Sequence, residues 1–234
     1  MSAHASPGPR TRLVLVRHGE TDSNASGRFQ GQADIPLNDT GRAQAGAVAA
    51  RMVEFAPARI VASDLSRAQA TASAIAEATG APLLTEPLLR EINIGAWEGK
   101  TAAQVALEYP WYPDALRSGE DFRRSPSGET ALEAGARIVR ALEAIARAYP
   151  GQTTVVVGHG LALRSGLCQL VGLGHAGTHL LGGLSNCSWT EVEVSGRWRL
   201  VSYNNVAGAR PSGRAVLSPS MQLGITSEQT ADIA

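Results

Sequence analysis

Two histidines and two arginines stand just after short apolar runs in this 234-residue chain. Leu13-Val14-Leu15-Val16 leads into Arg17-His18-Gly19, Arg59 to Ala62 leads into Ser63-Asp64-Leu65-Ser66-Arg67, and Thr153 to Val157 leads into Gly158-His159-Gly160. Such runs read as buried strands of a parallel sheet, whose carboxyl edge is where α/β proteins bind ligands. If the three ends share that edge, two imidazoles and two guanidiniums converge on one point. A neutral imidazole is a competent nucleophile near pH 7, where a serine needs an added base, so His18 can attack phosphorus directly. A phosphoryl group in transfer spreads charge over three oxygens, which Arg17, Arg67 and a protonated His159 can clamp. The competing reading of any one cluster is a satisfied core histidine beside a solvated arginine; the ordered set of three speaks against it.

The elements that must position these groups alternate as βαβ units. A Gly/Asn/Gln-rich loop runs from Asp22 to Asn38, and Asp39-Thr40 can cap a helix to about Phe55. A strand at 59–62 precedes a helix from Leu65 to Thr79 closed by Gly80, and Pro82 to Thr85 reads as the next strand. Thr101 to Glu108 reads as a short helix and Tyr109 to Pro126 as irregular. Glu129 to Tyr149 carries Leu132, Ala136, Val139, Leu142 and Ile145 at helical spacing, and Leu161 to Val171 is a further helix. Ser188–Val194 and Trp198–Tyr203, separated by Ser195-Gly196, read as a hairpin. The expected fold is α/β: three layers, a mostly parallel sheet with an antiparallel C-terminal portion, and helices on both faces. The expected organisation is a flexible tail over 1–11, one domain over 12–203 and a flexible tail over 204–234.

The clusters together resemble the signatures of the histidine phosphatase superfamily, the phosphoglycerate mutase-like fold. Arg17-His18-Gly19 resembles its nucleophile segment, Ser63–Thr71 its second phosphate-binding arginine segment, and Gly158-His159-Gly160 its second histidine. Leu89-Arg90-Glu91 through Trp97-Glu98-Gly99 resembles the segment supplying its acid, and Gly128-Glu129-Thr130 its Gly-Glu-Ser/Thr helix start. The resemblance implies a phosphohistidine on His18, with Glu91 protonating the leaving oxygen and then deprotonating the attacking water. It implies contacts of Asn24, Gln30 and Gly31 with the phosphate or nearby substrate atoms. It also implies a variable lid over about 108–126, in which Trp111, Tyr112 and Phe122 could stack on a sugar. There Arg117, Arg123 or Arg124 could meet a second phosphate or a carboxylate. The family's mutases carry a longer insertion between acid and second histidine and an Arg-His-Tyr-like sequence after the acid; here His159 follows Glu91 by 68 positions and Ile92-Asn93-Ile94 follows the acid. That favours a phosphatase of sugar-phosphate or phosphoglycerate type. The run Leu181–Thr190 resembles actinobacterial glucosyl-3-phosphoglycerate phosphatases and related acid phosphatases. The alternatives are a mutase and a non-catalytic phospho-ligand-binding protein.

Bulk properties narrow the partners. Lys+Arg and Asp+Glu balance at 21 each, so no nucleic acid or acidic membrane surface is expected, and phosphate binding must come from local convergence. Lys100 is the sole lysine, which makes nearly every cation a planar guanidinium. Cys168 and Cys187 lack metal or disulfide spacing, and no apolar run is long enough for a leader or a membrane span, so a cytoplasmic protein is expected. No cofactor or metal is expected. His175 and His179 are four apart, but Gly174 and Gly177 argue against a helix there. Gly95–Thr101 is one residue short of a P-loop, and Leu163 occupies the third glycine of a dinucleotide loop. The expected partner is a small phosphorylated substrate, with a homodimer possible. Trp97 reads as packing, and Glu91 could instead be the ion-pair partner of Arg90.

Overall fold

The aliphatic run Leu13–Val16 is fully buried at the middle of a six-stranded sheet. The computed structural model describes residues 10–208. Its strands are β1 (Thr11–Arg17), β2 (Arg59–Ala62), β3 (Leu83–Thr85), β4 (Thr153–Gly158), β5 (Trp189–Ser195) and β6 (Arg197–Asn205), in the order β3-β2-β4-β1-β5-β6. The pairs β3-β2, β2-β4 and β4-β1 are parallel, and β1-β5 and β5-β6 are antiparallel. The helices are α1 (Asp22–Ala25), α2 (Asp39–Met52), α3 (Ser66–Thr79), α4 (Ala102–Glu108), α5 (Tyr112–Ser118), α6 (Ala131–Ala148), α7 (Gly160–Leu170) and α8 (Gly177–Leu180).

Alternation along β1 decides which helices go where, because successive side chains point to opposite faces. Val14 and Val16 pack with Val48 and Met52 of α2 and Ala72 and Ile75 of α3. Leu13 and Leu15 pack with Ile138 and Leu142 of α6 and Leu163 and Leu167 of α7. The result is the expected three-layer α/β architecture. The register pairs Arg17 with Gly158 and Ala62 with Val157, so β1, β2 and β4 end at one edge. The chain leaving β1 feeds the α2 face and the chain leaving β4 feeds the α7 face. A crevice therefore opens between the ends of two adjacent strands, at a topological switch point.

Local chemistry explains the boundaries. Gly80 closes α3 in the left-handed conformation at φ +70°, and Thr130 opens α6 with a capping box to Glu133. Several expectations need correcting. Asn38, not Asp39-Thr40, caps α2, its side chain accepting from Gly41 N–H at 2.8 Å. The loop from Asp22 contains the turn of α1, capped by Thr21. The 109–126 segment contains α5, opened by Trp111 with Pro113 in its first turn and closed by Gly119. His179 sits on the short α8 despite the neighbouring glycines. Thr11 already belongs to β1 and β6 continues to Asn205, so the domain extends past both expected limits. The remaining expected tail residues, 1–9 and 209–234, lie outside the described residues. Among the described residues no helix is long and apolar enough to cross a membrane.

Candidate active site

His18, at the end of β1, is 2% exposed. Its Nδ1 lies 2.6 Å from the Gly19 carbonyl, which can only accept; Nδ1 therefore carries the proton and Nε2 keeps its lone pair. Gly19 is required sterically, because a Cβ there would sit 2.4 Å from the carbonyl oxygen of Gly41 in α2. Burial, then Arg17, then Arg67 push the His18 pKa well below 6.5, so its ring is neutral at pH 7. Cys187 offers no competing nucleophile, since burial pushes its thiol up to about 12.

His159, at the end of β4, is fully buried with its ring centroid 5.1 Å from that of His18. Its Nε2 lies 2.9 Å from Ser63 Oγ at the end of β2, while its buried Nδ1 has no partner. Burial, then His18, then Arg67 and Arg17 lower its pKa well below 6.5. The expectation of a protonated His159 is thus corrected for the free site: with two arginines and no anion present, the imidazolium is disfavoured.

The arginines are held from behind. Arg67 on α3 is fully buried and donates from Nη1 to Ala33 O at 2.7 Å and from Nη2 to Gly31 O at 2.8 Å, leaving Nε unpartnered. Arg17 donates from Nη1 to Leu184 O at 2.5 Å, and its Nε is also unpartnered. A Cβ at Gly160 would stand 3.2 Å from that Nε, a tight contact that would press on the Arg17 side chain. Burial lowers the pKa of both arginines.

Glu91 spans to the start of α7. Its Oε1 accepts from Ile92 N–H at 2.9 Å and Ala162 N–H at 2.8 Å, and its Oε2 accepts from Leu161 N–H at 3.3 Å. Arg90 is not its partner, because Arg90 grips Asp64 through Nε and Nη2. The Glu91 backbone is fixed by Arg137 of α6, a residue the sequence reading passed over. Arg137 donates to the carbonyls of Leu88, Arg90 and Glu91 at 2.6–2.8 Å and to both carboxylate oxygens of Glu129 at 2.9 Å.

Arg17, His18, Arg67 and Glu91 border one cavity of about 460 Å³, together with Asn24, Gln30 and Gly31. Asn24 Oδ1 accepts from Thr21 and Asn186, and Gln30 Oε1 accepts from Thr21 Oγ1, which leaves their amide N–H groups as donors. Gly31 contributes through its carbonyl, by steadying Arg67. All eight predicted site residues line this cavity or, for His159, contact one that does. Trp97 is buried among Phe29, Tyr109, Trp111, Tyr112 and Phe122. The expected sugar-stacking aromatics are therefore mutual packing partners, although Tyr112 and Phe122 also face the cavity. Arg164, His175 and His179, not singled out as substrate-contacting residues by the sequence, line it too. Among the described residues no group of three or more His, Cys, Asp or Glu side chains could hold a metal ion.

Two neutral imidazoles, two held guanidiniums and a carboxylate around one cavity define an enzyme that acts on phosphate esters. The histidine phosphatase superfamily (branch 1) family model matches residues 13–206, and the chain belongs to that superfamily. It is 39% identical over 183 residues to a probable phosphoglycerate mutase, GpmB, of Yersinia pestis, covering 78% of this chain and 84% of the relative. Among solved structures it resembles a mycobacterial glucosyl-3-phosphoglycerate phosphatase in complex with VO3, at TM-score 0.76 and 34% identity over 83% of this chain and 99% of the other. It also resembles a phosphoserine phosphatase variant from Entamoeba histolytica in complex with phosphoserine, at TM-score 0.74 and 27% identity over 83% and 96% of the two chains.

Proposed function

We propose that the protein is a phosphomonoesterase for small phosphorylated metabolites of sugar-phosphate or phosphoglycerate type, working through a phosphohistidine on His18 without a metal. The carrying observation is the fixed tautomer of His18, which keeps Nε2 unprotonated in a cavity also lined by Arg17 and Arg67. Nε2 attacks phosphorus and the P–O ester bond breaks as Glu91 protonates the departing oxygen. Oε2, which holds only the longer backbone contact, is the oxygen that carries this proton. Water then attacks the phosphoryl group, Glu91 takes its proton, and the P–N bond breaks to return neutral His18 and inorganic phosphate. Arg17 and Arg67 offer unpartnered Nε–H donors to the phosphoryl oxygens, and an arriving dianion favours protonation of His159 at Nδ1. Asn24 and Gln30 donate from their amides at the same edge, and the 109–126 segment closes over the leaving group as a lid.

Incubation with p-nitrophenyl phosphate tests this reading. Phosphate release with an acid-labile, alkali-stable phosphoenzyme is expected, and His18→Ala should abolish both. Turnover by His18→Ala, or wild type showing neither signal, overturns it. The likeness to a probable phosphoglycerate mutase favours a second reading, in which a substrate hydroxyl rather than water accepts the phosphoryl group. Rapid interconversion of phosphoglycerates with 2,3-bisphosphoglycerate and little phosphate release would establish it in place of the first.

A further inference from the structure

On its way into β5 the chain returns to the reaction centre, and Gly183 and Leu184 line the cavity. Leu184 O accepts from the Arg17 guanidinium at 2.5 Å, Cys187 N–H donates to Arg17 O at 3.0 Å, and Arg17 N–H donates to Ser188 O at 3.1 Å. Ser188 N–H donates to Ser185 O at 3.1 Å and closes a turn in which Cys187 has φ +52°. That left-handed backbone is costly for a residue with a Cβ and persists only where its surroundings over-determine it. Here they do: Asn204 of β6 accepts from Ser185 N–H at 2.8 Å through Oδ1 and donates from Nδ2 to Gly183 O at 3.2 Å. The turn is therefore held from outside before the side chain of Asn186 is considered.

Half-buried at the tip of this turn, Asn186 donates from Nδ2 to His18 O at 3.0 Å and to Asn24 Oδ1 at 3.3 Å. Each end of that bridge has a fixed sense. The His18 carbonyl can only accept, so the nitrogen of Asn186 faces it. Thr21 N–H can only donate, so it is the oxygen of Asn24 that lies 3.2 Å from it. With Oδ1 claimed by Thr21 and Asn186, Asn24 turns its amide nitrogen to the cavity; a reversed amide would offer an oxygen to an incoming anion and repel it. One side chain, 162 positions after Asn24, thus couples the backbone of the nucleophile to the orientation of a donor.

We infer that Asn186 is a positioning residue of the phosphoryl site, whose amide keeps Asn24 turned so that a nitrogen meets the phosphoryl oxygens beside His18. The ligand of Asn24 rests on the reading given above, whereas the dependence of anion binding on Asn186 stands apart from turnover.

Titration calorimetry with inorganic phosphate tests it. Asn186→Leu keeps the side-chain shape without charge and removes the donor, and it should weaken phosphate binding by about tenfold, with partial return in Asn186→Gln, which keeps the amide. On an Asn24→Ala background the same Asn186→Leu should change the affinity by less than about threefold, since no amide is left to turn. In the wild-type background kcat/KM for p-nitrophenyl phosphate and for glycerol 3-phosphate should fall by one common factor, because the phosphoryl end is common to both. Losses that multiply in the double variant overturn the role, as does an Asn186→Leu protein that binds phosphate as the wild type does. Should Asn186→Leu not fold, Asn186→Ala carries the same cycle against Asn24→Ala. Turnover of p-nitrophenyl phosphate by the wild type is scored separately: turnover without this binding pattern removes the positioning role and leaves the phosphatase, and the pattern without turnover does the reverse.

Discussion

Each ring nitrogen of His18 has a different task, and a backbone carbonyl allots them. Because Gly19 O holds Nδ1 and burial beside Arg17 and Arg67 opposes a second proton, the nucleophile stays unprotonated where a free histidine would be half charged. Imidazole NMR of the free enzyme should show His18 and His159 neutral at pH 6.5; a midpoint at or above 6.5 for either overturns the electrostatic account. Glu91→Gln should lower kcat for glycerol 3-phosphate by about 10² to 10⁴. The loss in phosphoenzyme formation should be smaller with p-nitrophenyl phosphate, whose phenolate leaves without a proton, and equal losses would refute proton donation. Arg17, His18, Arg67 and His159 were legible because they stand at or shortly after the ends of apolar runs, whereas Glu91, Asn24, Gln30 and Gly31 were legible only through the family resemblance. The charge state of His159 was not, since it depends on how completely Arg17, Arg67 and the sheet edge exclude water around it.

At the scale of elements, the acid-bearing loop stands because α6 reaches across to it. Arg137, 8% exposed, closes five hydrogen bonds on the 88–91 backbone and Glu129. Arg137→Met should destabilise the fold by about 3 kcal/mol, since it strands Glu129 and three carbonyls, and denaturant unfolding checks it. A loss under about 1 kcal/mol would mean that the loop holds itself. Strands and capped helices were legible from periodicity and from residues such as Thr130 and Gly80. By contrast, α5 was hidden, because Tyr112, Pro113 and Asp114 mix aromatic, ring-locked and charged residues, and Tyr112 packs on Trp97, outside its own stretch of sequence, as well as on Phe122. Arg137 was hidden for a related reason: an arginine on an amphipathic helix reads as solvated until the packing of α6 against the 87–89 turn is known.

For the whole molecule, burying two neutral histidines ties stability to pH. The unfolded chain protonates them below about pH 6.5 while the fold does not, so their contribution is complete above that value and is lost as pH falls towards the depressed folded values. Unfolding free energy should drop by about 1.4 kcal/mol per histidine per pH unit in that window. Carboxylates held low by an arginine, as Asp64 is by Arg90, act only below about pH 4, so the two effects separate. Denaturation at pH 7.5, 6.5 and 5.5 measures the first, and a flat profile would contradict the buried neutral pair. The convergence on one edge was legible from three strand ends; the depth of that edge was not, because it depends on α2 and α7 covering opposite faces. The aromatic cluster around Trp97 carries a last consequence. The 109–126 segment docks on Trp97, on the start of α6 through Asp121 and on the 94–96 turn through Ser125. Exchange of this segment between relatives, with those anchors kept, is expected to alter substrate range and to leave the chemistry at His18 in place, which a panel of sugar phosphates and phosphoglycerates checks.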